Sequence, residues 1–309
     1  MSNFSRFQGI PDIIYGTAFK FDKSTILVEG ALKAGFKGID TAGSRSAYRE
    51  AFVGDAIKIF LKSSRTRRTD LYIQTKFSPF KPTQDPALYP YDTTRSIPEQ
   101  VEESITSSLA NLGIDYIDCL VLHSIYPSLQ DNIIAWKAME KLVPEKVTLL
   151  GLSNIDLETL KQIYNQATIK PSVVQNRFTH DIRDRPNLEM PSNLPYPKIT
   201  FDRDVREYCQ QYGLTYAPWG LLWGSLDVLD GPDQIITKAA QELQVSRHIA
   251  CFAFMKTLGG CKISILCGTT KEERMHETLV GLAKIDTFSA NNGHTWKERV
   301  KAFKTIVDG

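Results

Sequence analysis

The sequence predicts an α/β protein of the (β/α)8 TIM-barrel class, a single domain spanning residues 1–309, and three observations carry that expectation. Eight short β-rich apolar runs alternate with longer helical patterns from one end of the chain to the other. These runs are compact and apolar almost throughout, which suits parallel strands covered by helices on both faces. The first strand-to-helix turn, "YGTAFKFDKS", lacks the GxGxxG phosphate loop of the main rival fold, an open doubly wound sheet. Eight strand–helix units close naturally into a barrel.

Taken in order, "DIIYGTA" precedes the helical "STILVEGALKAG", and "FKGIDTA" precedes "YREAFVGDAIKIFLKSS". "LYIQTKF" leads to "SIPEQVEESITSSLANLG", "YIDCLVLH" to "NIIAWKAMEKLV", and "VTLLGLSN" to "DLETLKQIYNQA". "SVVQNRF" is followed by "FDRDVREYCQQYG", "LTYAPWG" by a long helical stretch from Ile235 to Leu258, and "ISILCGT" is the eighth strand. Gly35, Gly113 and Gly213 sit where helices should end. Two segments are too long to be simple connectors, 179–200 and the C-terminal tail 283–309. Barrel sites are built on loops after the strands, so 179–200 reads either as an active-site loop or as a passive insertion.

Acidic and basic residues nearly cancel, leaving a formal net charge of +2, so no electrostatic argument favours nucleic acid or a membrane surface as partner. The one dense basic run, "KSSRTRRTD", reads as a solvated helix end. Cys119, Cys209, Cys251, Cys261 and Cys267 include no CxxC pair, which suggests neither a disulfide framework nor a metal site. No basic-then-apolar leader begins the chain and no apolar run approaches the roughly 20 residues of a membrane span. A cytoplasmic protein is expected.

Asp40 follows the second strand, Lys76 ends the third and His123 ends the fourth, so a barrel brings all three to one face. Singly, each has an ordinary explanation: a helix cap, a strand-end cation, a satisfied core histidine. Tyr48 makes the group chemically coherent. A phenol with an ordinary pKa of about 10 is a poor acid at neutral pH, but Lys76 can stabilise its anion while Asp40 orients the lysine. His123 can then hydrogen-bond a carbonyl oxygen.

At this point the chain resembles the aldo-keto reductase family over essentially its whole length. The likeness rests on "GIDTA", "YREAFVGDAI", "IQTK", "SLANLGIDYIDCLVLH", "AWKAMEKLV", "LGLSN" and "KPSVVQNRF" in that order. The resemblance implies a barrel that reduces aldehydes or ketones with NADPH, or possible NADH, and a catalytic tetrad of Asp40, Tyr48, Lys76 and His123. The gap from Asp40 to Tyr48 is longer than is usual in the family. Contacts to the nicotinamide amide carry over to Ser153, Asn154 and Gln175, stacking on the ring carries over to Tyr216, and Asp40 and Trp219 are further expected cofactor-binding residues.

The phosphate-binding segment after the eighth strand reads "CGTTKEERMHET". Gly268 stands where the family commonly has Lys, Thr278 where it commonly has Asn, and Arg274 and Glu277 match. Arg274, aided by the hydroxyls of Thr269 and Thr270 and by Lys271, can still pair with a phosphate. Ala18 and Ser124 replace two common Trp residues, so Phe19, Phe77, Tyr126, Trp219 and Trp223 are the expected walls of the substrate pocket. A small-molecule carbonyl substrate and a monomer are implied. A cofactor-binding regulatory subunit with little turnover, or altered redox or isomerase chemistry on the same site, are the competing readings.

Overall fold

The computed structural model describes residues 9–178, 201–223, 225–258 and 260–308. The proposed loop 179–200 lies outside the described residues. Eight parallel strands, β1 (Ile13–Gly16), β2 (Gly38–Asp40), β3 (Tyr72–Phe77), β4 (Ile117–Leu122), β5 (Val147–Ser153), β6 (Val173–Gln175), β7 (Thr215–Tyr216) and β8 (Ile265–Cys267), form one sheet. Its order is β7-β6-β5-β4-β3-β2-β1-β8. Closure comes from a parallel bridge between Tyr216 and Ile263. There the Tyr216 N–H donates to the Lys262 carbonyl and the Ser264 N–H to the Tyr216 carbonyl, both at 2.9 Å. The result is the expected barrel.

Side chains alternate across the wall because successive Cβ atoms of a strand point to opposite faces. Ile14, Tyr72, Cys119, Val121, Val173 and Ala217 meet in a small cluster inside the barrel. Their neighbours Tyr15, Ile73, Leu120, Leu122, Val174 and Tyr216 join the much larger core between the sheet and the helices. Gly38 and Gly151 keep the interior narrow: a Cβ at Gly38 would lie 2.9 Å from Ile14, and one at Gly151 would lie 3.1 Å from both Val121 and Val173.

The helices cover the outside. They are α1 (Ser24–Ala34), α2 (Glu50–Ser63), α3 (Ile97–Leu112), α4 (Leu129–Glu140), α5 (Leu157–Gln166), α6 (Arg203–Tyr212), α7 (Leu226–Asp230), α8 (Ile235–Leu243), α9 (Arg247–Lys256), α10 (Glu272–Asn291) and α11 (Gly293–Asp308). Helix α3 starts with a capping box between Ser96 and Glu99 and stops at left-handed Gly113, as the sequence suggests. Three features differ from the sequence reading. The stretch 235–258 is two helices, broken where Gln244 turns left-handed. The run beginning at Tyr48 becomes helical only at Glu50. The tail 283–309 is not a loose extension, since it holds the second half of α10 and all of α11, with Phe254 stacked on Trp296 and Phe303 at 4.9 and 5.2 Å between ring centroids.

Helix α2 meets the end of α3 through Gly54, where an added Cβ would lie 2.2 Å from the Asn111 carbonyl oxygen and 2.8 Å from Leu112 Cα. Both obstacles are backbone and cannot rotate away. Gly54→Ala is expected to destabilise the chain by roughly 1–3 kcal/mol through overpacking, read as a lower denaturant midpoint with an unchanged slope; an unchanged midpoint would refute the tight contact.

Candidate active site

The inward-facing positions of β3 are Tyr72, Gln74 and Lys76, one above the other toward the mouth of the barrel. Asp40 ends the neighbouring β2 and faces the same way. Lys76 Nζ donates to both Asp40 carboxylate oxygens at 2.6 and 2.7 Å and to the Thr41 carbonyl at 2.8 Å. Lys76 is 1% exposed and Asp40 2%. Burial pulls the Lys76 ammonium below its ordinary pKa and Asp40 pulls it back up.

Tyr48 lies in the loop after β2 and lays its ring beside this pair, with Lys76 Nζ 5.1 Å from the ring centroid. His123, immediately after β4, meets the Tyr48 ring edge-on at 5.8 Å. The four residues therefore converge despite the long gap from Asp40 to Tyr48. The expected acidification of the phenol by Lys76 is not present in this state: burial, and then the Asp40 charge, push the Tyr48 phenol up. The main reason is burial, which disfavours the phenolate, while Lys76, held on both Asp40 oxygens, does not offset it.

His123 is also kept uncharged. Burial, with Lys76 and Lys81 nearby, pushes its imidazole down to about 3. Its Nδ1 lies 2.7 Å from Ser78 Oγ, and with the hydroxyl donating to Nδ1 the single ring proton sits on Nε2. A neutral imidazole in that tautomer is a hydrogen-bond donor toward the cleft.

Next to this group the ends of β5 and β6 supply Ser153, Asn154 and Gln175. Ser153 Oγ donates to the Gln175 carbonyl at 2.6 Å. Asn154, with a left-handed φ of 53°, donates from Nδ2 to the His123 carbonyl at 2.8 Å, and its Oδ1 is buried without a hydrogen-bond partner. Gln74 Nε2 donates to Asp40 Oδ1 at 2.7 Å and to Gln175 Oε1 at 2.8 Å.

A cleft of about 680 Å³ runs over these residues and outward across the C-terminal ends of β1 and β8, within the usual size of a small-molecule site. Its walls include Asp40, Tyr48, Lys76, His123, Ser153, Asn154 and Gln175, and beyond them Phe19, Trp219, Trp223, Thr269, Arg274 and Thr278. Phe77, Tyr126, Tyr216, Thr270 and Glu277 are not among the walls. For two of these the cause is strand alternation. Phe77 follows inward-facing Lys76 and so packs outward against Tyr91, while Tyr216 precedes inward-facing Ala217 and its hydroxyl donates outward to Asp202 at 2.9 Å. Tyr126 packs against the outer core, where Asn132 holds its backbone, and Thr270 and Glu277 point to solvent.

Several residues of the cleft escaped the sequence reading. Lys20 is 6% exposed and donates from Nζ to the Gly268 carbonyl at 2.9 Å, and burial lowers its pKa. His248 and Phe252 of α9 face Arg274 and Thr278 of α10 across the outer end. The guanidinium of Arg177 lies 5.7 Å from the Trp219 ring centroid and 5.2 Å from that of Trp223, backing both indoles. Gln74 alone left a readable signal, a polar residue two positions before Lys76 and hence on the same face.

The imidazole state has a direct check. An unfolded imidazole titrates near about 6.5 and this one near 3, so the folded chain binds fewer protons between those values. The His123 contribution to stability is full above the upper value and is lost as pH falls through the window. An NMR titration should show neutral Nε2–H His123 from pH 8 to below about 5, and Ser78→Ala should mix the tautomers; protonation near the ordinary value would overturn this assignment.

Comparison with known proteins identifies the family. A profile of the Aldo/keto reductase family matches residues 12–285. Glyoxal reductase of Bacillus subtilis is 27% identical over 72% of this chain and 65% of its own length, so the chain spans just under two thirds of that relative. Methylglyoxal reductase DkgA of Escherichia coli is 26% identical over 74% of this chain and 78% of its own. Among solved structures, aldose reductase from Giardia lamblia superposes with a TM-score of 0.70 at 21% identity, covering 97% of this chain and 93% of that one. With the family profile covering most of the sequence and the barrel in common, the chain belongs to the aldo/keto reductase family.

Proposed function

We propose that this protein reduces an aldehyde or ketone to an alcohol with NADPH. The observation that carries the reading is the convergence of Tyr48, neutral His123 and the buried Lys76–Asp40 pair at the inner end of one long cleft. The residues fit a nicotinamide dinucleotide. The unpartnered Asn154 Oδ1 suits the N–H of a carboxamide, and Gln175, its own oxygen occupied by Gln74, suits the carbonyl. Lys20 and Arg274 lie in the same cleft, where phosphates need cations.

When bound, the cofactor supplies a hydride to the carbonyl carbon. The chain's own groups handle the oxygen. His123 Nε2–H orients it and stabilises its growing charge, and Tyr48 transfers its proton to it. An alkoxide is far more basic than a phenolate, so a phenol whose pKa is raised remains a competent donor. Lys76 stabilises the phenolate left behind, and Asp40 holds Lys76 in place. The apolar outer walls Phe19, Trp219 and Trp223 suit a substrate with an apolar or aromatic portion.

Two experiments test this. With purified protein and a panel of carbonyl compounds, Tyr48→Phe should lower kcat by roughly 10²–10⁴-fold while NADPH binding is retained. NADPH binding by the unaltered chain without turnover on any carbonyl would instead favour a regulatory role. Arg274→Ala should weaken NADPH by about 10- to 100-fold, the value of one charge-assisted contact, and leave NADH nearly unaffected. Equal losses for both nucleotides would remove Arg274 from recognition of the 2′-phosphate.

A further inference from the structure

We propose that Gln74 is a positioning residue that couples the carboxamide side of the cleft to the Lys76–Asp40 pair. It does so by deciding which end of the Gln175 side chain meets the cofactor and by sharing the charge of Asp40. The inference rests on the NADPH reading above and extends it to a residue buried beneath the site.

Gln74 is fully buried, facing inward on β3 in a position that an aliphatic side chain could fill without desolvating an amide. Both ends of its amide are engaged, the nitrogen toward the site and the oxygen from below. Nε2 donates to Asp40 Oδ1 and to Gln175 Oε1, and the Tyr72 hydroxyl donates to Gln74 Oε1 at 3.0 Å. Only one orientation of the amide satisfies these contacts, because the reverse would set its oxygen against a carboxylate oxygen and an amide oxygen. Tyr72 thus selects the orientation of Gln74, and Gln74 selects that of Gln175.

Two consequences reach the chemistry. With its oxygen engaged from below, Gln175 has its NH2 left to offer the cleft, opposite the acceptor Asn154 Oδ1. A donor and an acceptor so placed match the two ends of a carboxamide and fix which face of the nicotinamide ring meets the substrate. At the same time Asp40 Oδ1 accepts from Gln74 as well as from Lys76. Its charge is divided between two donors, and more of the Lys76 charge is left for the Tyr48 phenolate.

A double-mutant cycle separates this role from simple filling of the barrel. NADPH is titrated by quenching of protein fluorescence in Gln74→Leu, Gln175→Leu and the double variant, with carbonyl turnover measured alongside. Each single change should weaken NADPH by about 2- to 10-fold, the range for one hydrogen bond, and the double variant should bind no more weakly than Gln175→Leu alone. Gln74→Leu should also lower kcat at saturating NADPH. Tyr72→Phe keeps the shape and removes only the hydroxyl, so it carries the test if Gln74→Leu does not fold, with a smaller loss in the same direction. Additive losses, or folded variants with unchanged NADPH affinity and kcat, overturn the proposal. Failure of the unaltered chain to bind NADPH overturns the cofactor reading and this one with it, whereas normal binding with indifferent variants overturns this one alone.

Discussion

Burying a charge is the constraint on which the mouth of this barrel is built. Lys76 and Asp40 are both withdrawn from water, and an unpaired ion there would cost several kcal/mol. Every polar neighbour can be understood as an answer to that cost. Both carboxylate oxygens and the Thr41 carbonyl take the ammonium protons, and Gln74 adds a further donor to Asp40. Tyr48 stays a protonated phenol beside the pair because burial, and then the Asp40 charge, disfavour its anion. Its usefulness lies in what happens once the proton leaves, when Lys76 has a new anion to face.

The loop that carries Tyr48 is longer than its family resemblance suggests, so it has to be held from outside. The Phe19 N–H donates to the Ala47 carbonyl and the Arg45 N–H to the Leu88 carbonyl, both at 2.8 Å. Two residues after Tyr48, the buried Glu50 carboxylate accepts from Thr75 of β3 and Ser108 of α3. Burial pushes the Glu50 carboxyl up, and these hydroxyls pull it back. The start of α2 is thereby anchored to the strand that presents Lys76, and the distance between phenol and ammonium is set by packing.

At the outer end of the cleft, Gly268 leaves out a cation that the family commonly supplies from β8. Lys20, from the loop after β1, has its Nζ 3.8 Å from where a Cβ at Gly268 would sit. Its charge occupies the same neighbourhood while coming from the loop after the adjacent strand. Arg274 adds a second cation at this end, while burial and Arg274 lower the pKa of the neighbouring His248, and the Arg177-backed indoles of Trp219 and Trp223 line the same cleft.

Much of the architecture was legible in the chain. Strand and helix are local matters of periodicity and turn chemistry, and all eight strands, the glycine helix ends and the four residues Asp40, Tyr48, Lys76 and His123 were recognisable from short stretches. Phe77, expected in the cleft for its aromatic ring, and Tyr216, expected there by family resemblance, are turned away from it by strand parity, and the 283–309 segment is helical, with Trp296 and Phe303 packed on Phe254. Lys20, Ser78 and the tie between Gln74 and Gln175 were invisible because they join residues on different strands and loops. The amino-acid sequence by itself determined which groups reach the mouth of the barrel. Closure of the sheet decided which of them touch, and hence the protonation states of Tyr48 and His123, because distances and burial across a barrel exist only once its strands have met.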